Sequence, residues 1–193
     1  MLLKMIDDDL ALHHVQHAGH MWIDRFAVTY QRIFAGEPYL EHFTLDEARE
    51  AYRKLTNTPN NITLIIADKR NTVVAFAIAI PIRFKYSVAS ELSGLVPLNH
   101  TMYLAELGVL PTHRGRGMGR QLVMHRLKLI DRNNFTHVVL RVSELREAYL
   151  LYEGLGFEDM GVWMEVTSKR VDGTVGTDRR LFMSRVLSQV PIP

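Results

Sequence analysis

Apolar and polar positions along the chain divide it into short strands and amphipathic helices. Leu2 to Met5 reads as a short first strand. From about Leu10 to Phe34 the pattern is helical, with Trp22, Phe26 and Tyr30 at i, i+4 and i+8 on one face and Asp24, Arg25 and Arg32 elsewhere. Gly19 is a point at which this helix would break in two, and Gly36 with Pro38 soon after supplies a stop. Thr44-Leu45-Asp46-Glu47 fits a capping box and predicts a second helix from about Leu45 to Leu55. Ile62 to Ala67 and Val73 to Ile82 are rich in β-branched residues, and Asp68-Lys69-Arg70-Asn71 between them reads as a hairpin turn. Phe84 to His100 shows no clear period and is expected to be a long loop.

The second half continues the alternation. Thr101 to Leu110 is a strand closed by Pro111. Gly115 to Ile130 is a helix whose apolar face carries Leu122, Leu127 and Ile130. Val138 to Val142 is a short buried strand, and Leu145 to Gly154 a short helix. Phe157 to Val166 and Leu181 to Leu187 form a closing pair of strands, joined through the polar stretch around Asp172-Gly173. The fold class is α/β, with a mixed central sheet flanked by helices. The strand–helix–strand passage in the middle implies a locally parallel pair.

Length and composition narrow the picture. At 193 residues and 47% hydrophobic content, the chain has the size of one domain with a proper core. The net charge is only +2, from 23 basic and 21 acidic residues, and the basic residues are scattered, so no nucleic-acid partner is expected. Without cysteine there is no disulfide, thiolate metal site or cysteine nucleophile. The apolar start is cut short by Asp7-Asp8-Asp9, unlike a signal peptide, and no apolar run is long enough to span a membrane. A cytoplasmic protein with no membrane partner is expected.

The most informative segment runs from Leu107 through Gly119. A strand enters a loop with glycines at 115, 117 and 119, and the loop enters a helix. The first N–H groups of that helix lack partners, and the helix dipole favours anions there. Such a loop is shaped for a phosphate or pyrophosphate, with Arg114 and Arg116 adding positive charge. Position 120 is Arg120, which breaks the dinucleotide fingerprint, and the Gly-Lys-Ser/Thr ending of a P-loop is absent. A tight turn whose glycines serve only helix packing is the alternative on composition alone.

Arg114 to Gly119 resembles the Arg/Gln-x-x-Gly-x-Gly/Ala signature of the GNAT superfamily of N-acetyltransferases, preceded by Leu-x-Val-x-Pro as Leu107 to Pro111. Ala148 to Phe157 is similar to that superfamily's A-x-x-x-Tyr-x-x-x-Gly-Phe pattern, placing Tyr152 at its tyrosine. The resemblance covers about Leu104 to Phe157. It implies a single acyl-CoA N-acyltransferase domain. Residues 1–100 would form an acceptor-side half, 101–157 an acetyl-CoA-binding core, and 158–193 closing strands. It implies acetyl-CoA as cosubstrate, no metal, and a small-molecule or peptide amine as acceptor; a homodimer is compatible with it. The coenzyme would be held by Leu107, Gly108, Val109, Arg114, Gly115, Arg116, Gly117, Met118, Gly119 and Tyr152. One departure is Leu145, where many relatives carry Asn.

Acetyl transfer to an amine needs a group to take the amine's proton, donors for the thioester oxygen as it gains charge, and a proton for the leaving thiolate. Glu106, a lone carboxylate in an apolar strand, is the candidate base; the alternative is that it faces solvent or pairs with a basic residue such as Arg141. Backbone N–H groups near Leu107 to Val109 are candidate donors, and Gly108 inside a strand suggests a bulge or a close ligand approach there. Tyr152 is the candidate acid, and the alternative is an amphipathic Tyr packed at a helix edge. Tyr149 is read as packing. His13 and His17, an i,i+4 pair within a local group of histidines, are read as a polar helix face and not a metal site. The Trp22, Phe26 and Tyr30 stripe is read as core that can wall an acceptor pocket at one end. A catalytically inactive acetyl-CoA-binding sensor or scaffold is the rival function.

Overall fold

The computed structural model describes residues 1–15, 20–144 and 146–188, without the side chains of His20 and Arg146. Among the described residues eight strands form one sheet in the order β1-β2-β3-β4-β5-β6-β8-β7. These are β1 (Leu2–Met5), β2 (Leu10–Val15), β3 (Ile62–Asp68), β4 (Val73–Pro81), β5 (Thr101–Val109), β6 (His137–Ser143), β7 (Glu158–Lys169) and β8 (Val175–Val186). The helices are α1 (His20–Ala35), α2 (Leu45–Thr56), α3 (Tyr86–Glu91), α4 (Met118–Leu129) and α5 (Arg146–Glu153). All pairs are antiparallel except β5 with β6, the parallel pair expected from the strand–helix–strand passage.

Two hydrophobic layers sandwich the sheet. On one face α4 and α5 bury Met118, Leu122, Leu127 and Tyr152 against Leu64, Ala77 and Leu140. On the other, α1 and α2 bury Phe26, Tyr30, Ile33 and Tyr52 against Ile65, Phe76 and Ile78. Strand β4 lies at the centre and is buried at every position, which explains its unbroken apolar run. The Trp22, Phe26, Tyr30 stripe is core, as expected, and the predicted capping box at Thr44 and Glu47 is formed.

Three elements differ from the sequence reading. Leu10–Val15 is a strand paired with β3, not the start of a helix, because Leu10 and Leu12 alternate into the core. His13 and His14 therefore sit on a strand, which removes the helical pairing of His13 with His17; His17 lies outside the described residues, as does Leu145. The stretch from Phe84 to His100 is not one loop. It contains α3 and a 3₁₀ turn at Leu98–His100, and Val88, Ala89 and Leu92 bury a helical face. Strand β8 begins at Val175, well before Leu181, and its early residues alternate only between exposed and half-buried positions. Without an apolar face, that ribbon left no period to read.

Gly108 is not at a bulge. It pairs in register with Phe76, and a Cβ there would meet the Phe76 ring at 2.6 Å and Ile33 at 3.0 Å. Close packing of α1 and β4 is what requires glycine. Gly108→Ala should destabilise the fold by about 1–3 kcal/mol, as overpacking does. A denaturant midpoint equal to that of the wild type would show that the ring can move aside.

The bulge lies three residues earlier. Ile78 faces Glu106 but Ala79 faces Leu104, so Ala105 is an extra residue in β5. The insertion shifts the phase of the strand. Tyr103 and Ala105 face the α1/α2 layer, whereas Leu104, Leu107 and Val109 face the α4/α5 layer. Glu106 would share the side of Leu104 in a regular strand. The bulge instead places it beside Tyr30 and Tyr103, in the cavities on the α1/α2 side.

Candidate active site

The parallel pairing of β5 with β6 runs from Thr101 and His137 to Leu104 and Leu140 and then stops. Both strands continue, to Val109 and Ser143, so a gap opens in the middle of the sheet. Three adjoining cavities meet there. One of about 560 Å³ follows the glycine loop, one of about 310 Å³ fills the gap, and one of about 620 Å³ opens on the α1/α2 side. The first two share Tyr39, Leu107, Ala148 and Leu151; the last two share Tyr30, Lys85, Tyr103, Glu106 and Arg141. Sharing these walls, they line up as a passage from the glycine loop across the sheet to the α1/α2 side.

At the loop end, Gly115 and Gly117 adopt positive φ of 74° and 75°, and Gly117 caps α4 in a left-handed conformation. Among the described residues, no backbone hydrogen bond engages the N–H groups from Gly115 through Arg120. Unpaired donors in a row at a helix start are what an anionic group requires. Arg114 lines the cavity, anchored by Nε to the Val109 carbonyl at 3.2 Å. Arg116 does not line it; its Nη2 is committed to Asp7 at 2.6 Å. Met118 is buried in the core, so its part in the loop is its N–H alone.

Along the gap, Leu110 donates to the Val74 carbonyl at 2.9 Å. The antiparallel alternation then gives the Gly108 N–H to β4 and turns those of Leu107 and Val109 towards the gap. Two of the three predicted donors therefore face the passage; Gly108 lines it without offering its N–H.

Glu106 stands where the cavities meet, part of its surface open to the passage and its carboxyl enclosed by protein. Burial pushes that carboxyl up to about 7, while Arg141 and Lys85 pull in the other direction. The alternative, an ion pair with Arg141, is not formed among the described residues: Arg141 donates Nε to the Tyr103 hydroxyl at 2.9 Å and Nη1 to Met164 Sδ at 3.2 Å. Tyr152, on α5, lines the central cavity and packs edge-on against Phe157 at 5.5 Å. Burial raises its phenol and Arg126 opposes the rise, so the hydroxyl keeps its proton at neutral pH.

Arg126 was not among the residues picked from the sequence. It is fully buried on α4, and Nη1 donates to the carbonyls of Ile78 at 3.2 Å and Glu106 at 2.9 Å. These are the carbonyls that the bulge disturbs, so Arg126 braces the backbone carrying Glu106. Among the described residues its Nε and Nη2 have no hydrogen-bond partner of good geometry, and the Tyr152 phenol is a neighbour that favours the charged guanidinium. The signal was present: Arg126 follows Leu122 by four residues and interrupts the apolar face of α4. Glu41 and Arg180 were also missed. Their 2.8 Å ion pair, with Arg170 donating to the Tyr39 carbonyl at 2.7 Å, ties the loop after α1 to the β7–β8 hairpin and closes one wall.

The sequence model of the acetyltransferase (GNAT) family matches residues 28–157. The chain belongs to that family of acyltransferases. It is 29% identical over 139 residues to N-acetyltransferase 8F1 of Rattus norvegicus; the match covers 70% of this chain and 58% of that protein. The chain thus spans less than two thirds of that relative. Among solved structures, the ribosomal-protein-S18-alanine N-acetyltransferase of Escherichia coli is similar with a TM-score of 0.64 at 16% identity, over 93% of this chain and 94% of that one. The spermidine N-acetyltransferase of Vibrio cholerae, solved with CoA and spermine, is similar with a TM-score of 0.58 at 18% identity, over 95% and 98%. At these identities the structures establish the shared fold.

Proposed function

We propose that this chain moves an acetyl group from acetyl-CoA directly to a primary amine within a ternary complex. The observation that carries this reading is the passage itself. Unpaired backbone donors lie at one end, an acceptor-sized cavity lies at the other, and Glu106 and Tyr152 line the gap between them. The pyrophosphate fits the N–H groups of Gly115 to Arg120, with Arg114 beside it. The pantetheine arm fits the gap, and the Leu107 and Val109 N–H groups suit the thioester oxygen.

The chemistry then divides among the chain's own groups. Glu106 takes a proton from the bound ammonium, either directly or through water. The freed nitrogen attacks the thioester carbon; the N–C bond forms as the C–S bond breaks. The Leu107 and Val109 N–H groups stabilise the oxygen as it gains charge, Tyr152 gives its proton to the departing thiolate, and the second proton that the attacking nitrogen sheds as the amide forms restores the phenol. Incubation with acetyl-CoA and an amine panel, reading free thiol and acetylated product by mass, tests the reading. Coenzyme binding without product from any amine would favour the sensor or scaffold instead.

The loop assignment has its own test. Gly117→Val places a β-branched side chain at φ +75°, in open space where a phosphate would approach. Coenzyme affinity should be lost while far-UV circular dichroism stays native. Wild-type affinity in that variant would remove the loop from the site.

A further inference from the structure

The cavity on the α1/α2 side is lined by charges that are unevenly paired. Its outer rim is acidic, with Asp46, Glu47 and Glu50 from α2. Each already has a partner close by: Asp46 meets Arg49 at 2.8 Å, Glu47 accepts from the Thr44 backbone at 2.7 Å, and Glu50 lies 3.7 Å from Lys54. Deeper in, where the cavity reaches Glu106, the lining turns basic with Arg141 and Lys85. Neither forms an ion pair among the described residues.

Arg141 is the more informative of the two. It projects from β6 and is half-buried. Its Nε bond to the Tyr103 hydroxyl, itself on a buried residue, fixes the guanidinium plane. Nη1 has only the thioether of Met164, a weak acceptor, and Nη2 makes no hydrogen bond among the described residues. A partly desolvated cation, oriented but lacking an anion, is costly to keep. Its planar fork matches a carboxylate. Arg180 in the same wall shows the contrast, being neutralised by Glu41 at 2.8 Å and Asp178 at 3.1 Å. With Arg180 paired, Arg141 and Lys85 face the single carboxylate of Glu106. That balance accommodates one further negative charge beside the reacting amine and repels a second positive one. Around this point the central cavity is walled by Tyr30, Phe34 and Phe43.

We propose that the acceptor is an amino acid with an apolar side chain, whose α-carboxylate is held by Arg141 while its amine faces Glu106. The inference rests on the acetyl-transfer reading and narrows its acceptor to amines that carry a nearby carboxylate. Polyamines lack the anion and bring extra positive charge to Arg141 and Lys85.

The test compares L-phenylalanine with phenethylamine, L-tyrosine with tyramine, and L-leucine with 3-methylbutylamine, following thiol release from acetyl-CoA. The wild type should use each amino acid about 10- to 100-fold more efficiently in kcat/KM than its decarboxylated counterpart, the range of one charge-assisted contact. In Arg141→Gln that ratio should collapse, mainly through the amino acid's KM, and Arg141→Lys should retain part of it. Normal coenzyme affinity verifies that the variants fold. Decarboxylated amines used as well as the amino acids by the wild type would overturn the proposal, as would a preference that survives in both variants. Thiol release from none of the six compounds while another amine of the panel is acetylated would also overturn the proposal and leave the acetyl-transfer reading standing; bound acetyl-CoA with no amine acetylated would overturn that reading itself.

Discussion

In Glu106→Gln, acetyl transfer near pH 7 should fall by about 10²- to 10³-fold while coenzyme affinity is unchanged. The glutamine keeps the size of the side chain and its hydrogen-bonding capacity but cannot take up a proton. The variant must then rely on free amine. For an amine with a pKa of about 10, only about one molecule in 10³ is uncharged at pH 7, and that fraction grows about tenfold per pH unit. The deficit should therefore shrink steadily as the pH rises and nearly vanish around pH 10. The wild type should behave in the opposite sense on the acid side. Its carboxyl, raised to about 7 by burial, accepts a proton from the substrate only when ionised. Below that pH, kcat/KM should drop about tenfold per unit, with a break near 7 that the variant lacks, since its rate falls by the same factor per unit all the way down from the amine's own pKa. A deficit independent of pH would exclude the base role. A rise confined to the acceptor's KM would make Glu106 a binding carboxylate.

Tyr152→Phe should lower the single-turnover rate by about 10²- to 10⁴-fold, the range for loss of a positioned proton donor. Coenzyme affinity should change little, because the pyrophosphate contacts lie on the loop before α4. Stability should fall as well. The phenol is a polar neighbour of buried Arg126, and losing a partner of a buried charged group costs about 1–3 kcal/mol. The two effects are separable, since transfer can be followed well below the melting transition. A wild-type single-turnover rate would reduce Tyr152 to packing against Phe157.

Some of the site was legible in the sequence because its physics is local. The three glycines, the strand before them and the helix after them fall within a dozen residues, so a loop shaped for an anion is legible from spacing alone, and its N–H groups make no backbone hydrogen bond among the described residues. Tyr152 follows from the resemblance of Ala148 to Phe157 to the family's second pattern, and the short helix that carries it is legible locally. The capping box at Thr44 and the hairpin of β3 and β4 are local in the same sense. What failed locally did so for identifiable reasons. Leu10 to Val15 carries too few residues to separate a strand from the helix that follows, and β8 lacks an apolar face over its first half.

The sequence by itself determined the family's loop, the order of strands and helices from Thr101 onward, and the presence of a carboxylate on β5 and a phenol on α5. Only the tertiary structure decided which way that carboxylate points. Strand alternation sends Glu106 to the side of Leu104, and the extra residue at Ala105 sends it to the side of Tyr103. A bulge is a one-residue change of phase with no sequence signature of its own. It is held by partners far along the chain, here Ile78 on β4 and Arg126 on α4. The same holds for the gap between β5 and β6 and for the guanidinium of Arg141, which forms no ion pair among the described residues. Both depend on which groups fail to meet, and a failure to meet is settled by packing across the whole sheet.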